Sequence, residues 1–354
     1  LAKVSRFEHY EVPFKVGTSL CFMKNSGNEE HDILYMQKDE KSEPEILLDP
    51  NNLSTDNTTS LCGYAFSYDG RYLAYGLSEG GSDWQSWKVR DISNGKDLDD
   101  LLSGVQYSSA SWTRDNKGFF YSRYDKTGPS KDSRSKNYYH KLYYHRIGTS
   151  QKDDVLVIEN QNEKEWGFYG QVTPEGNHLV VKIWDGFKPS NRIYLKDLRE
   201  ANSQFIKLLD QGDARYDYIA SHGDQFWFRT DLNAPNGKLV SIKISDKVPR
   251  LVETVPETEA LLQSVSIVGG HFFCHYLENA YSKVVEYDTS GKRIGEVELP
   301  GLGTVQGFWG DLSDRNTFYS FTSFNTPSTI YNYNLKTRKS SVKFQPQTNF
   351  DKSA

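Results

Sequence analysis

The chain has 354 residues, of which 36% are hydrophobic and 14% aromatic, with a formal net charge of -5. A pI near 6.0 supplies no clustered basic face of the kind that neutralises phosphates, so no nucleic-acid partner is expected. Mean hydropathy is -0.69 and no run approaches the roughly 18 apolar residues of a membrane span, so no membrane partner is expected either.

The first residues, Leu1-Ala2-Lys3-Val4, are neither a start methionine nor an apolar leader, and read as part of a longer protein. From there a turn followed by an aromatic or β-branched strand recurs seven times. Val16-Gly17 precedes Leu20-Cys21-Phe22, Asp69-Gly70 precedes Tyr72-Leu73-Ala74-Tyr75, Asp115-Asn116 precedes Phe119-Phe120-Tyr121, and Glu175-Gly176 precedes Leu179-Val180-Val181. His222-Gly223 then precedes Phe226-Trp227-Phe228, Gly269-Gly270 precedes Phe272-Phe273, and Asp314-Arg315 precedes Phe318-Tyr319. The turns lie about 45 to 60 residues apart, near the spacing of four strands per propeller blade. The expected fold is therefore all-β: a seven-bladed β-propeller with four antiparallel strands per blade, in one domain. Its blades fall at roughly 8–50, 60–100, 105–158, 165–208, 215–254, 262–299 and 303–345.

The first unit has its own strand, His9-Tyr10-Glu11-Val12, and the last has four strand-like runs from Thr304 to Phe344. Neither end needs the other's strand, which predicts a ring not latched by a shared strand and closed by apolar packing between its first and last blades. Asp97 to Leu102 is the best candidate for a single helical turn. The segment Asp125 to Asn137, rich in Lys, Ser, Gly and Asp, reads as a surface loop.

Gly76-Leu77-Ser78-Glu79-Gly80 matches the G-x-S-x-G nucleophile elbow by letter. The elbow needs a helix directly after the serine to supply oxyanion donors. Here a Gly-rich turn and another strand follow, so Ser78 is read as a turn residue. His271 and His275 resemble a metal pair, but on a strand they lie about 13 Å apart and cannot chelate together. His140 and His145, in another aromatic strand region, meet the same objection. Neither a metal nor a cofactor is expected. Cys21, Cys62 and Cys274 form no short-spaced set, which favours reduced thiols and a cytoplasmic location. The glycosylation sequons Asn52-Leu53-Ser54 and Asn57-Thr58-Thr59 argue the other way, but such tripeptides are common by chance. Ser82-Asp83-Trp84 ends a Gly-rich turn between two strands. It reads as a hairpin with a buried indole, or as a carboxylate presented to a cationic partner.

The run from Gly63 to Ser78, with Gly81-Ser82-Asp83-Trp84 after it, strongly resembles the propeller of the prolyl oligopeptidase (prolyl endopeptidase) family. Lys141-Leu142-Tyr143-Tyr144-His145 with Gly148-Thr149, Asn191-Arg192 before Asp197-Leu198, and Phe321-Thr322-Ser323-Phe324 with Ile330-Tyr331 extend the resemblance over nearly the whole chain. It implies a two-domain serine peptidase that hydrolyses short peptides on the carboxyl side of proline. The Ser-Asp-His triad would lie in an α/β-hydrolase domain of the same polypeptide, outside this chain, which alone would be inert. The propeller would gate that site against large proteins, in a cytoplasmic monomer. By the same resemblance the family's third-subsite Phe falls at Tyr107, a neighbouring Met at Gly167 and a Cys at Phe187, all lining the substrate cavity. Asp83 corresponds to one half of an interdomain ion pair. Two other readings stand beside this one: a stand-alone interaction propeller of the WD type, whose Gly-His and Trp-Asp signatures are missing here, and a related oligopeptidase that cuts after basic residues.

Overall fold

The computed structural model describes residues 7–39, 41–54, 58–125 and 137–346, so the inner part of the Asp125–Asn137 loop, 126–136, and Asn57 of the second sequon lie outside the described residues. Twenty-nine strands and two single 3-10 turns, Pro50–Asn52 and Gln151–Asp153, make up the described secondary structure. Strands β1–β5 are His9–Tyr10, Phe14–Val16, Ser19–Asn25, Ile33–Gln37 and Glu45–Leu48. Strands β6–β9 are Thr59–Phe66, Tyr72–Glu79, Gln85–Asp91 and Lys96–Val105, and β10–β13 are Ser111–Trp112, Gly118–Arg123, Lys141–Arg146 and Val155–Ile158. Strands β14–β17 are Trp166–Val172, His178–Asp185, Asn191–Asp197 and Ile206–Leu209, and β18–β21 are Tyr216–His222, Gln225–Thr230, Lys238–Lys243 and Val252–Val255. Strands β22–β25 are Leu261–Val268, His271–Glu278, Tyr281–Asp288 and Arg293–Glu296, and β26–β29 are Thr304–Trp309, Asn316–Ser323, Thr326–Asn334 and Lys339–Phe344.

These strands form six sheets, which corrects the expectation of seven separate four-stranded blades. Five sheets carry a path of four antiparallel strands: β1-β3-β4-β5 with β2 also on β3, then β14–β17, β18–β21, β22–β25 and β26–β29. The sixth has eight strands, β6 to β13. The cause is local. Strand β10 has only two residues against the six of β11, so most of one β11 edge is left uncovered. The ten-residue β9 reaches that edge: Val105 pairs with Arg123, and the Tyr124 N–H donates to the Gly104 carbonyl at 3.0 Å. The repeat is real in the turns even where the sheets merge. The second residue of six of the seven repeat turns (Gly17, Gly70, Asn116, Gly176, Gly223 and Gly270) has positive φ, a conformation open to Gly and tolerated by Asn.

The sheets share one internal gradient. Inner strands are nearly continuous apolar runs buried on both faces, as in β15, where Leu179, Val180, Val181 and Ile183 are all buried. The outer strands β5, β13, β17, β21 and β25 have four residues each and are largely exposed. Each meets its neighbour through a register shift. Short, bulged edges of this kind resist pairing with another chain.

The chain divides into two compact units, Asn52–Asp217 with Ser221–Gly223, and Leu1–Asn51 with Tyr218–Ala220 and Asp224–Ala354. In the first, one core gathers Trp87, Val89, Leu102, Trp112, Phe119 and Tyr121, and another gathers Phe168, Leu179, Val181 and Ile183. In the second, β1 and β2 pair with β3, and the first sheet packs on the last through Val12, Phe318 and Ile330, with Tyr10 stacked on Phe344 at 4.5 Å. Lys15 and Asp314 add an ion pair of 2.6 Å beside a cavity of about 220 Å³ lined by Phe14, Trp309 and Phe318. Among the described residues no helix is long and apolar enough to cross a membrane.

Two local expectations change. Asp97–Leu102 is not a helical turn but part of β9. Ser78 is not a turn residue: it lies buried in β7, opposite Ser60 and Gln85, and its hydroxyl donates to the Ser82 carbonyl. No helix follows it, so the elbow has no oxyanion donors to offer. Of the three thiols, Cys21 and Cys274 are buried and pushed up to about 12 by burial, whereas Cys62 is exposed at the β6 bulge.

Candidate functional site

The four positions singled out by sequence all fall in the Asn52–Asp217 unit. Asp83 sits exposed in the turn between β7 and β8 and makes no ion pair among the described residues. Tyr107 follows β9 by two residues, is 58% exposed, and has φ of +53°, an uncommon conformation for an aromatic residue. Gly167 is buried in β14, and Phe187, 97% exposed, tips the turn between β15 and β16.

A line of packed rings runs through residues next to them in sequence or strand register. Trp84, next to Asp83, meets Tyr124 edge-on at 6.0 Å, Tyr124 meets His140 at 4.7 Å, and His140 meets Trp184 at 5.2 Å. Each sequence candidate is tied to this line. Asp83 is bonded to Trp84 and Phe187 follows Trp184 by three residues. Tyr107 follows Gln106, whose carbonyl accepts from His140 Nε2 at 3.0 Å, and Gly167 pairs in register with Trp184.

Glycine is required at 167 by its neighbour. A Cβ there would lie 2.0 Å from the Trp184 ring, so the indole occupies the space a larger side chain would take. The same device operates at Gly76, where a Cβ would lie 2.6 Å from Trp87, its partner on β8. Volume absent at 167 is supplied by Trp184.

His140 is 1% exposed and its two nitrogens have different tasks. Nδ1 accepts from the Phe168 backbone N–H at 3.0 Å, so Nε2 carries the proton and donates to the Gln106 carbonyl. Burial lowers its pKa to about 4 and the Gln106 bond opposes this weakly, so the ring is neutral at physiological pH. Gln106 is also held by its side chain, which accepts from Asn137 at 2.9 Å. Burial, with Tyr107 adding to it, pushes the Tyr124 phenol up to about 12.

His145, five residues on, is the opposite case. Its Nδ1 lies 2.7 Å from Asp154 and its Nε2 2.8 Å from Asp100, with all three side chains fully buried. Both nitrogens face carboxylate oxygens, so both carry protons and the ring is a cation. Burial works against the charge, yet the two carboxylates raise its pKa to about 9. Asp100 also accepts from Gly148 N–H at 2.7 Å and Asp154 from the Tyr121 hydroxyl at 2.6 Å. Among the described residues both partners of this ring are carboxylates, and its role is to join β9 to β12.

The other histidine pair is divided as well. His271 bonds buried Glu286 at 2.6 Å, which also accepts from Arg338 at 3.0 Å, while His275 bonds Ser282 at 2.8 Å. Among the described residues, no three His, Cys, Asp or Glu side chains are grouped as a metal site. Sequence reasoning missed Tyr124, Gln106 and Trp184, and weighed His140 only as a ligand. Strand register is the signal that would have found Trp184 opposite Gly167.

Comparisons with known proteins bear on the family and the fold. Residues 1–346 match the family described as prolyl oligopeptidase, N-terminal β-propeller domain. A prolyl endopeptidase of Elizabethkingia miricola is 34% identical over 351 residues, covering 99% of this chain and 49% of that protein. A prolyl endopeptidase of Elizabethkingia meningoseptica is 35% identical over 352 residues, with the same coverage. Among solved structures, one from a study of two prolyl endopeptidases and their inter-domain dynamics superposes with a TM-score of 0.89 at 30% identity, covering 99% of this chain and 50% of its own. Apo prolyl oligopeptidase B from Galerina marginata, at 23% identity, shares the fold with a TM-score of 0.89, covering 99% of this chain and 53% of its own. The chain thus spans about half the length of the curated relatives it matches. It belongs to the N-terminal β-propeller domain family of the prolyl oligopeptidases.

Proposed function

We propose that this chain is the substrate-gating propeller of a cytoplasmic serine oligopeptidase that cleaves short peptides on the carboxyl side of proline. In this reading the Ser-Asp-His triad sits in an α/β-hydrolase domain of the same polypeptide, and the chain alone is inert. Tyr107 and Phe187 face the substrate cavity as exposed rings, with Gly167 and its covering Trp184 forming the floor. Asp83, exposed and without an ion pair among the described residues, reaches a cation on the catalytic domain.

The observation that carries the reading is that Tyr107, through the Gln106 carbonyl, and Gly167, through its register with Trp184, are both joined to the line Trp84, Tyr124, His140 and Trp184. A fixed aromatic floor under exposed rings suits the side chains of an extended peptide, because the rings are already ordered before binding. The test uses the full-length protein and one proline-containing sequence, supplied as a short peptide and inside a folded domain. Cleavage of the peptide alone is expected. Equal cleavage of both would remove the gating role, and turnover by the isolated propeller would place the chemistry in this chain after all.

A further inference from the structure

We infer that His140 is a positioning residue for substrate: its neutral ring bridges the Gln106 carbonyl and the Phe168 N–H, and so holds Tyr107 and the Gly167/Trp184 floor in one arrangement. The inference rests on the substrate-cavity reading of Tyr107 given above.

The argument begins with Tyr107 itself. An exposed aromatic at positive φ has little reason to keep that conformation unless its neighbours impose it. The residue before it supplies the constraint. Gln106 is buried, its carbonyl is fixed by His140 Nε2 and its side chain by Asn137. The peptide unit leading into Tyr107 is therefore anchored at its oxygen, which sets the direction in which the ring leaves the surface.

The other nitrogen reaches a different strand. Nδ1 takes the N–H of Phe168, the residue after Gly167 in β14, and the His140 ring packs against the Trp184 indole at 5.2 Å. One imidazole thus fixes the distance between the Tyr107 peptide and the floor at Gly167. Two bonds of opposite sense are needed, an acceptor toward Phe168 and a donor toward Gln106. A neutral imidazole satisfies both, whereas a protonated one would present two donors and lose the Phe168 bond.

A residue of this kind acts on binding rather than on chemistry, so its mark is in KM. The experiment uses the full-length protein and two proline-amide substrates, one minimal and one extended upstream of proline far enough to reach Tyr107. For the extended peptide, His140→Phe, which keeps a ring but neither bond, is expected to raise KM about tenfold while kcat stays within about twofold. His140→Asn keeps an acceptor near the Nδ1 position but cannot reach Gln106, and is expected to behave in the same direction. It carries the test should the Phe variant fail to fold. His140→Gln has one acceptor and one donor spaced much as the ring nitrogens are, and is expected to restore KM.

Tyr107→Ala separates the two levels. If it raises KM for the extended peptide while folded His140→Phe and His140→Asn keep the original KM, the positioning role is overturned and the cavity reading survives. Should Tyr107→Ala leave KM unchanged, the cavity reading falls and takes this inference with it. A Gln variant as impaired as Phe would also overturn the inference, since the bonds would then not be what matters.

Discussion

His140 and His145 lie five residues apart and both are buried, yet one ring is held neutral and the other charged. At His140 the partners are a backbone N–H and a backbone carbonyl, which together demand one donor and one acceptor. At His145 both partners are carboxylates, which demand two donors. Burial opposes charge at both sites, so the partners decide the outcome. The difference separates two kinds of construction in one sheet. The His145 side is an ionic bolt between β9 and β12. The His140 side is an uncharged pin that joins Gln106, just after β9, to Phe168 in β14.

The largest expected effect comes from breaking the bolt. His145→Leu leaves Asp100 and Asp154 buried against each other with no cation between them, and Asp100 Oδ2 already has no hydrogen-bond partner among the described residues. Removing one member of a buried charged cluster costs about 3–5 kcal/mol. Denaturant unfolding of the variant checks this. A loss below about 1 kcal/mol would mean that the carboxylates protonate or find water easily, and the cluster would not be a bolt.

The contrast also fixes two opposite pH dependences. For His145, whose pKa rises to about 9, the folded chain holds a proton that the unfolded chain has released. Its contribution is complete below the ordinary histidine value and is lost as pH rises through about 9. For His140, lowered to about 4, the unfolded chain takes up a proton that the folded chain refuses. Its contribution is complete above the ordinary value and is lost as pH falls toward about 4, by about 3 kcal/mol in all. Stability measured against pH is therefore expected to fall on both sides of neutrality. His140→Phe is expected to flatten the acid limb alone. If it flattens the alkaline limb instead, the assignment of charge to the two rings is reversed.

Much of this organisation was legible in the sequence, and the parts that were not share a cause. The turn repeat was visible because each turn is encoded within two or three adjacent residues, and the positive φ at Gly70 or Asn116 needs nothing beyond them. The segment Asp97–Leu102 misled because Leu98, Leu101 and Leu102 are spaced like one face of a helix. In β9 it is Asp100 that points inward, with Leu101 exposed, because His145 waits 45 residues away to receive the carboxylate. No local window contains that partner. The merging of two sequence repeats into one eight-stranded sheet was hidden for a similar reason, since it depends on how little of β11 the two-residue β10 covers. The cavity-lining expectation for Tyr107, Gly167 and Phe187 came from family resemblance, whereas Asp83 was also singled out by its Gly-rich turn. The line of rings connecting them comes from strand register, which pairs Gly167 with Trp184 across the sheet.

That pairing gives the smallest of these effects and the one most specific to the neutral side. Gly167 does not have positive φ, so alanine there is not penalised by the backbone, and any cost must come from the Trp184 ring lying 2.0 Å from the added Cβ. Overpacking of this kind costs about 1–3 kcal/mol. Because the displaced indole packs against His140, Gly167→Ala is expected to alter the acid limb of the stability profile and leave the alkaline limb intact. Combining it with Trp184→Leu opens the space again, and the two changes together are then expected to cost less than the sum of their separate costs, the excess being their coupling energy. Strict additivity would mean that the ring moves aside freely and that Gly167 is not held by Trp184.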